Sequence, residues 1–288
     1  MHDGPRSEAL RHVEWHPDHR ASAPAARVGP EEYRWWVQFE VASEAYDAFM
    51  GRWSRLLAGP FAEFAGIVDG MRVLDVGCGT GALIDELLAR LPHSSVTAVD
   101  PSASFVEAVA ARLPGIEVSR AAAERLPFPD HEFDAAVAQL VVHFMTDPVA
   151  GLAEMRRVTR RGGVVAACVW DYAGGRGPLG VFWDAARATR PDAPDESALA
   201  GTQEGHLARL FYAAGLEQVT ATSLSVTIAH PTFEDWWAPF TRGAGPAGAY
   251  VATLDPDELE TLMTECRRRL PAPPIVVSAS AWAVRGVA

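Results

Sequence analysis

A carboxylate, Asp75, stands two residues ahead of Gly77 in the run Val73-Leu74-Asp75-Val76-Gly77-Cys78-Gly79-Thr80-Gly81. The apolar residues read as a buried strand. The three glycines let the chain turn through backbone conformations closed to other residues, with amide N–H groups bare of side chains. A ligand pressed against such a turn meets backbone, and the acid at its mouth selects the ligand's charge. Two readings compete. A dinucleotide fingerprint asks for Gly-x-Gly-x-x-Gly or Ala after a strand, with an acid about 20 residues on, and Gly77, Gly79, Ala82 and Asp100 meet it formally. A pyrophosphate, however, wants N–H donors and a helix N-terminus, and Asp75 would repel it. The same carboxylate suits a cation such as an α-ammonium group. S-adenosylmethionine brings an ammonium, a sulfonium and a ribose without any phosphate, so Asp75 favours it.

The stretch resembles motif I of the class I S-adenosylmethionine-dependent methyltransferases, in their small-molecule (UbiE/methyltransferase type 11-like) branch, and the likeness extends over about residues 40–170. Val96-Thr97-Ala98-Val99-Asp100-Pro101-Ser102 is similar to that family's second strand, whose terminal acid binds both ribose hydroxyls, and Phe105 falls where an apolar residue meets the adenine. Ala123-Glu124-Arg125-Leu126-Pro127-Phe128-Pro129-Asp130 is similar to the loop that closes over the adenine edge. One departure stands out there: Ala122 replaces the aspartate that many relatives direct at the adenine amino group, leaving backbone, Glu124 or water for that role. Phe133-Asp134 through Phe144 resembles the fourth strand, and Arg161-Gly162-Gly163 the opening of the fifth. The resemblance implies S-adenosylmethionine as cofactor and S-adenosylhomocysteine as product. It assigns their contacts to Tyr46, Met50, Ser54, Asp75, Gly77, Cys78, Gly79, Asp100, Pro101, Ser102, Phe105, Ala123, Glu124, Gln139 and Leu140, with Cys78 as a small polarizable filler.

These residues need elements to position them. Strands are expected near residues 72–76, 95–99, 116–119, 133–139 and 163–170, with helices between them near 80–91, 103–113 and 148–159. Alternation with short links argues for a mostly parallel α/β sheet covered on both faces. Ligands on such sheets bind beyond the carboxyl ends of the strands, where Gly77, Asp100, Glu124 and Gln139 all fall. A helix is expected near 205–215 and strands near 217–228 and 275–284. The resemblance implies that these last two strands form an antiparallel hairpin completing a Rossmann-like, doubly wound sheet of seven strands. Residues 1–28 read as a flexible arm, 29–60 as a helical cover of two amphipathic helices ending near Gly59-Pro60, and 61–288 as the methyltransferase domain, with substrate-covering insertions near 171–205 and 229–272. Thr232 and Asp255-Pro256-Asp257-Glu258 carry helix-start signals within the second insertion.

The formal net charge of −12 over 288 residues argues against nucleic acid as partner. Arg156, Arg157, Arg160 and Arg161 read as a solvated helix end. Three scattered cysteines without metal spacing suggest a reducing compartment and no metal site. No apolar run reaches the ~18–20 residues that span a bilayer, and no secretory order opens the chain. The cytoplasm is therefore the expected location, without a membrane partner and with a homodimer left open.

For the chemistry, methyl transfer is an in-line displacement in which the protein mostly positions the acceptor and excludes water. His143, just after the fourth strand, is the candidate general base because it lies on the rim and histidine titrates near neutrality. Tyr33, Trp36, His143, Trp170, Trp183, His206 and Trp237 are the candidate acceptor contacts. Nine tryptophans, gathered largely in the covering segments, favour a flat apolar acceptor, aromatic, indolic or isoprenoid-like, methylated at O, N or C. Two rivals are a binding or regulatory protein that keeps the cofactor without turnover, favoured by Ala122, and an NAD-type oxidoreductase.

Overall fold

Runs of Val, Leu and Ala without polar alternation make strands that are buried on both faces. In the computed structural model, which describes residues 50–194, 196–243 and 245–288, three such runs form the centre of the sheet: β1 (Val73–Val76), β2 (Val96–Asp100) and β4 (Phe133–Gln139). The half-exposed β3 (Glu117–Arg120) forms one edge. Beyond β4 come β5 (Thr159–Trp170), then β7 (Ile275–Val287) and β6 (Glu217–His230), giving the order β3-β2-β1-β4-β5-β7-β6. All pairings are parallel except those of β7, which runs antiparallel to both β5 and β6. The expected seven-stranded, mostly parallel sheet is thus the one observed. The strand order reverses at β1 and β4, so their carboxyl ends diverge and leave a crevice.

One face of the sheet packs against α1 (Arg52–Ala65), α2 (Ala82–Leu88) and α3 (Ala103–Arg112), through a core that includes Leu57, Phe61, Ile84, Leu87 and Val109. The other packs against α4 (Pro148–Val158) and α6 (His206–Ala213) through Leu152, Met155, Leu207 and Phe211. Between β5 and α6 lies α5 (Gly180–Thr189); between β6 and β7 lie α7 (Phe233–Trp237), α8 (Gly245–Ala252) and α9 (Pro256–Arg269). Thr232 and Asp255 cap α7 and α9 with full capping boxes, as their sequence signals predict. Among the described residues no helix is long and apolar enough to cross a membrane.

Two boundaries differ most from expectation. Helix α1 does not stop at Gly59-Pro60 but runs on to Ala65, ending at Gly66 in the left-handed region. Pro60 removes one helical hydrogen bond, but it lies on the exposed side, where water can serve the freed carbonyl, while Phe61, Ala62 and Ala65 are buried one turn on. The expected segment boundary at residue 60 therefore falls inside this helix. Strand β5 starts at Thr159 rather than near 163, because Thr159 is fully buried and already pairs with Phe133.

Candidate cofactor and active site

Asp75 is the buried anomaly of β1. It is 1% exposed, and its Oδ2 has no hydrogen-bond partner. Burial, and then the neighbouring Asp100, push its carboxyl up to about 8. An unpartnered buried carboxyl is costly, and it lies in the wall of a cavity of about 950 Å³ at the carboxyl ends of the strands. A cationic group brought there would relieve it.

The turn after β1 corrects one sequence expectation. Its amides do not stand open to a ligand: the Gly77 and Cys78 N–H groups both donate to Val99 O at 2.7 and 3.0 Å, and Gly81 N–H donates to Cys78 O at 2.9 Å. Gly79 N–H donates to Asp100 Oδ2 at 2.9 Å. A pyrophosphate would meet a buried carboxyl with these donors already spent, which disfavours the dinucleotide reading. Nor do the three glycines share one purpose. A Cβ at Gly77, where φ is +75°, would stand 2.5 Å from Val141 Cγ1, whereas one at Gly79 would meet nothing within 4 Å. Gly77 is required by packing, and Gly79 keeps the cavity clear.

At the end of β2, Asp100 accepts from Gly79 N–H and, at 2.8 Å, from Ser102 N–H. Burial raises its carboxyl above the usual range and these two hydrogen bonds work against that rise. Pro101, Ser102 and the largely buried Phe105 line the cavity beside it, as do Gly77, Cys78 and Gly79. This end offers a two-oxygen acceptor next to an apolar wall, the chemistry a ribose and its base require.

At the end of β4, Gln139 Nε2 donates to Ser54 O at 3.0 Å, tying α1 to the rim, while its buried Oε1 has no partner. Leu140 follows with φ of +62°, an uncommon conformation for a side-chain-bearing residue. Its N–H donates to Cys168 O at 2.9 Å. Gln139, Leu140, Ser54 and His143 all line the cavity. His143 does not titrate near neutrality as expected: burial pushes its imidazole down to about 3, and Nδ1 is enclosed without a partner. It is therefore a neutral group at physiological pH. The pH profile of kcat/KM should show no limb near 6.5 that disappears in His143→Asn; such a limb would mean that His143 titrates as an ordinary imidazole.

Several expected contacts lie elsewhere. Ala123 packs in the core beneath the sheet, and Glu124 accepts from Asp147 N–H at 3.2 Å at the start of α4, so neither borders the cavity. Trp183 and Trp237 are also absent from its walls, held in an aromatic cluster of their own with Phe182, Trp236, Phe240 and Tyr250. Trp183 Nε1 there donates to the buried Glu196 at 2.6 Å. Aromatic rings satisfy one another as well as they satisfy a ligand. His206, the first residue of α6, accepts at 3.4 Å from the N–H of Gly201 in the preceding loop and does not border the cavity. Met50 and Trp170 reach only a small void of about 20 Å³ that shares His143, Leu140 and Phe144 with the main cavity. Tyr33, Trp36 and Tyr46, with the arm over residues 1–28, lie outside the described residues. The cavity also includes residues the sequence reading missed: Glu107 and Arg120 at the Asp100 end, Met145 and Thr146 after β4, and Leu199. Ala103, Ser104 and Glu107, all at the cavity, follow helical spacing and were discoverable that way; Leu199 carries no local signal.

A family model described as a methyltransferase domain matches residues 74–167. The chain is 32% identical over 183 residues to the ubiquinone/menaquinone biosynthesis C-methyltransferase UbiE of Cupriavidus metallidurans, covering 57% of this chain and 74% of that relative. It is 35% identical over 125 residues to the demethylmenaquinone methyltransferase of Renibacterium salmoninarum, covering 42% of this chain and 48% of that relative. The chain spans less than half the length of several curated relatives that it matches. Among solved structures, a Haemonchus contortus N-methyltransferase in complex with S-adenosylhomocysteine superposes with a TM-score of 0.54 at 16% identity, covering 88% of this chain and 58% of that one.

Proposed function

This chain belongs to the class I S-adenosylmethionine-dependent methyltransferases, and we propose that it transfers the sulfonium methyl group to a small, flat, largely apolar acceptor. The observation that carries this reading is the orphaned, buried Asp75 carboxyl in the cavity wall. It suits the cofactor's ammonium group, with Asp100 and Phe105 suited to its ribose and adenine. When bound, the cofactor supplies an electrophilic methyl carbon. The chain's own residues then have three tasks: to hold the cofactor against β1 and β2, to seat the acceptor over Leu140, His143 and Phe144, and to exclude water. An acceptor atom held about 3–3.5 Å from the methyl carbon needs little else.

His143 bears on which atom is methylated. A phenol or alcohol benefits from a base with a pKa near the working pH, and an imidazole pushed down to about 3 is a poor one. An electron-rich aromatic carbon attacks first and sheds its proton later. The neutral His143 therefore supports carbon over oxygen, and a relative named as a C-methyltransferase of ubiquinone/menaquinone biosynthesis supports the same choice. The segments around α5 and α7–α9 form the proposed cover over the acceptor.

Incubation with methyl-labelled cofactor tests this reading. Hydroxylated aromatic rings with isoprenoid chains should take label on a ring carbon, while sugars and phosphorylated small molecules take none. Label found only on the latter would contradict the acceptor reading. Tight S-adenosylhomocysteine binding with no transfer across the panel would favour a regulatory protein.

A further inference from the structure

Arg112, the last residue of α3, does not border the cavity, yet it grips the glycine turn from outside. Its Nη2 donates to Thr80 O at 2.9 Å and to Gly81 O at 3.3 Å, and its Nη1 donates to Asp85 Oδ1 at 2.6 Å. A Cβ at Gly81, where φ is +88°, would stand 2.4 Å from Nη2. The left-handed φ already calls for glycine here, and the guanidinium occupies the space beside it. Asp85 closes the arrangement: its side chain holds the guanidinium, and its backbone N–H donates to the same Gly81 O at 3.1 Å. A basic residue at a helix C-terminus ordinarily needs no partner beyond its own helix end. This one crosses to the turn that carries Gly79 and Thr80, both in the cavity wall beside Asp75.

We propose that Arg112 is a positioning residue for the amino-acid half of the cofactor. By fixing the carbonyls of Thr80 and Gly81, it sets the Thr80–Gly81 and Gly81–Ala82 peptide planes, and so the stance of Thr80 and Ala82 in the cavity wall. The adenosine half is served chiefly by Asp100, Ser102 and Phe105, which Arg112 does not touch. The inference rests on reading the cavity as the S-adenosylmethionine site.

The two halves can be separated with two ligands, S-adenosylhomocysteine and 5′-methylthioadenosine, which lacks the amino-acid tail. In calorimetry, Arg112→Ala should weaken S-adenosylhomocysteine about tenfold, as expected for losing charge-assisted hydrogen bonds from a partly exposed guanidinium. It should leave 5′-methylthioadenosine within about twofold, the spread of a contact that is not made. Arg112→Lys should recover part of the loss, and Asp85→Asn should fall between. An unchanged S-adenosylhomocysteine affinity in a folded variant would overturn the proposal, as would equal losses for both ligands, which a merely structural role predicts. Should Arg112→Ala not fold, Arg112→Lys and Asp85→Asn decide by the same ratio. Failure of the unaltered protein to bind S-adenosylhomocysteine would instead overturn the reading of the cavity.

Discussion

Asp75→Asn is expected to abolish detectable S-adenosylhomocysteine binding while making the ligand-free protein more stable. Both effects follow from one buried carboxyl. In the folded, ligand-free chain its proton is held up to about 8, against 3.8 in the ordinary state, because burial penalises the charge and Asp100 adds repulsion. Below about pH 4 the group is neutral whether the chain is folded or not, and costs nothing. As pH rises from there towards 8, the unfolded chain ionises and the folded one does not, so stability is progressively lost. At pH 8 the loss is at most about 5 kcal/mol, the free-energy equivalent of that displacement. An amide of the same shape never ionises, so the gain in melting temperature of Asp75→Asn over the parent should be small at pH 4 and large at pH 8. A cationic ligand reverses the balance by drawing the proton off Asp75. Binding of S-adenosylhomocysteine at pH 7 should therefore release close to one proton, read as a buffer-dependent binding enthalpy. An Asp75→Asn protein that binds as well as the parent would remove Asp75 from the site.

Gly77→Ala carries the second large effect, and Gly79→Ala is its internal control. At Gly77 the new methyl meets both the positive φ of +75° and Val141 at 2.5 Å. Left-handed strain and overpacking together cost about 3 kcal/mol, which in a chain of this size corresponds to a drop of roughly 6–12 °C in melting temperature. Val141→Ala placed in the same chain should recover the packing part and leave the strain. At Gly79 no atom lies within 4 Å, so stability should fall by only about 1 kcal/mol, from the backbone conformation. Cofactor affinity should nevertheless fall sharply, because the methyl group enters the cavity. Equal stability losses at the two positions would mean that Val141 does not wall the turn as described.

Asp75, Gly77, Asp100 and Phe105 were legible in the sequence because strand, turn and acid lie within about thirty residues of one another and their geometry is local. The mostly parallel pairing followed from the alternation of strand and helix and from the short connections between them. The cover was less legible for a physical reason. Phe182 and Phe240 stack at 4.5 Å between centroids, and Trp236 and Phe240 approach to 4.9 Å, so rings that could form a ligand platform instead make a core of their own. Composition does not separate these outcomes. His143 shows a similar limit: its position at the rim was readable, but its protonation depends on enclosure by residues as distant as Tyr172, whose ring centroid lies 6.0 Å away. Leu199 lies at the cavity on a loop held by the Thr202 hydroxyl, which donates to Ser197 O and Leu199 O at 2.9 and 2.8 Å, a tertiary arrangement with no local sequence signal.

Titration calorimetry of the unaltered protein with S-adenosylhomocysteine and with NADH, under the same conditions at pH 7, tests the selection of an ammonium group over phosphate most directly. Micromolar binding of the first with no heat from the second is the expected result. Saturable binding of NADH with none of S-adenosylhomocysteine would contradict it.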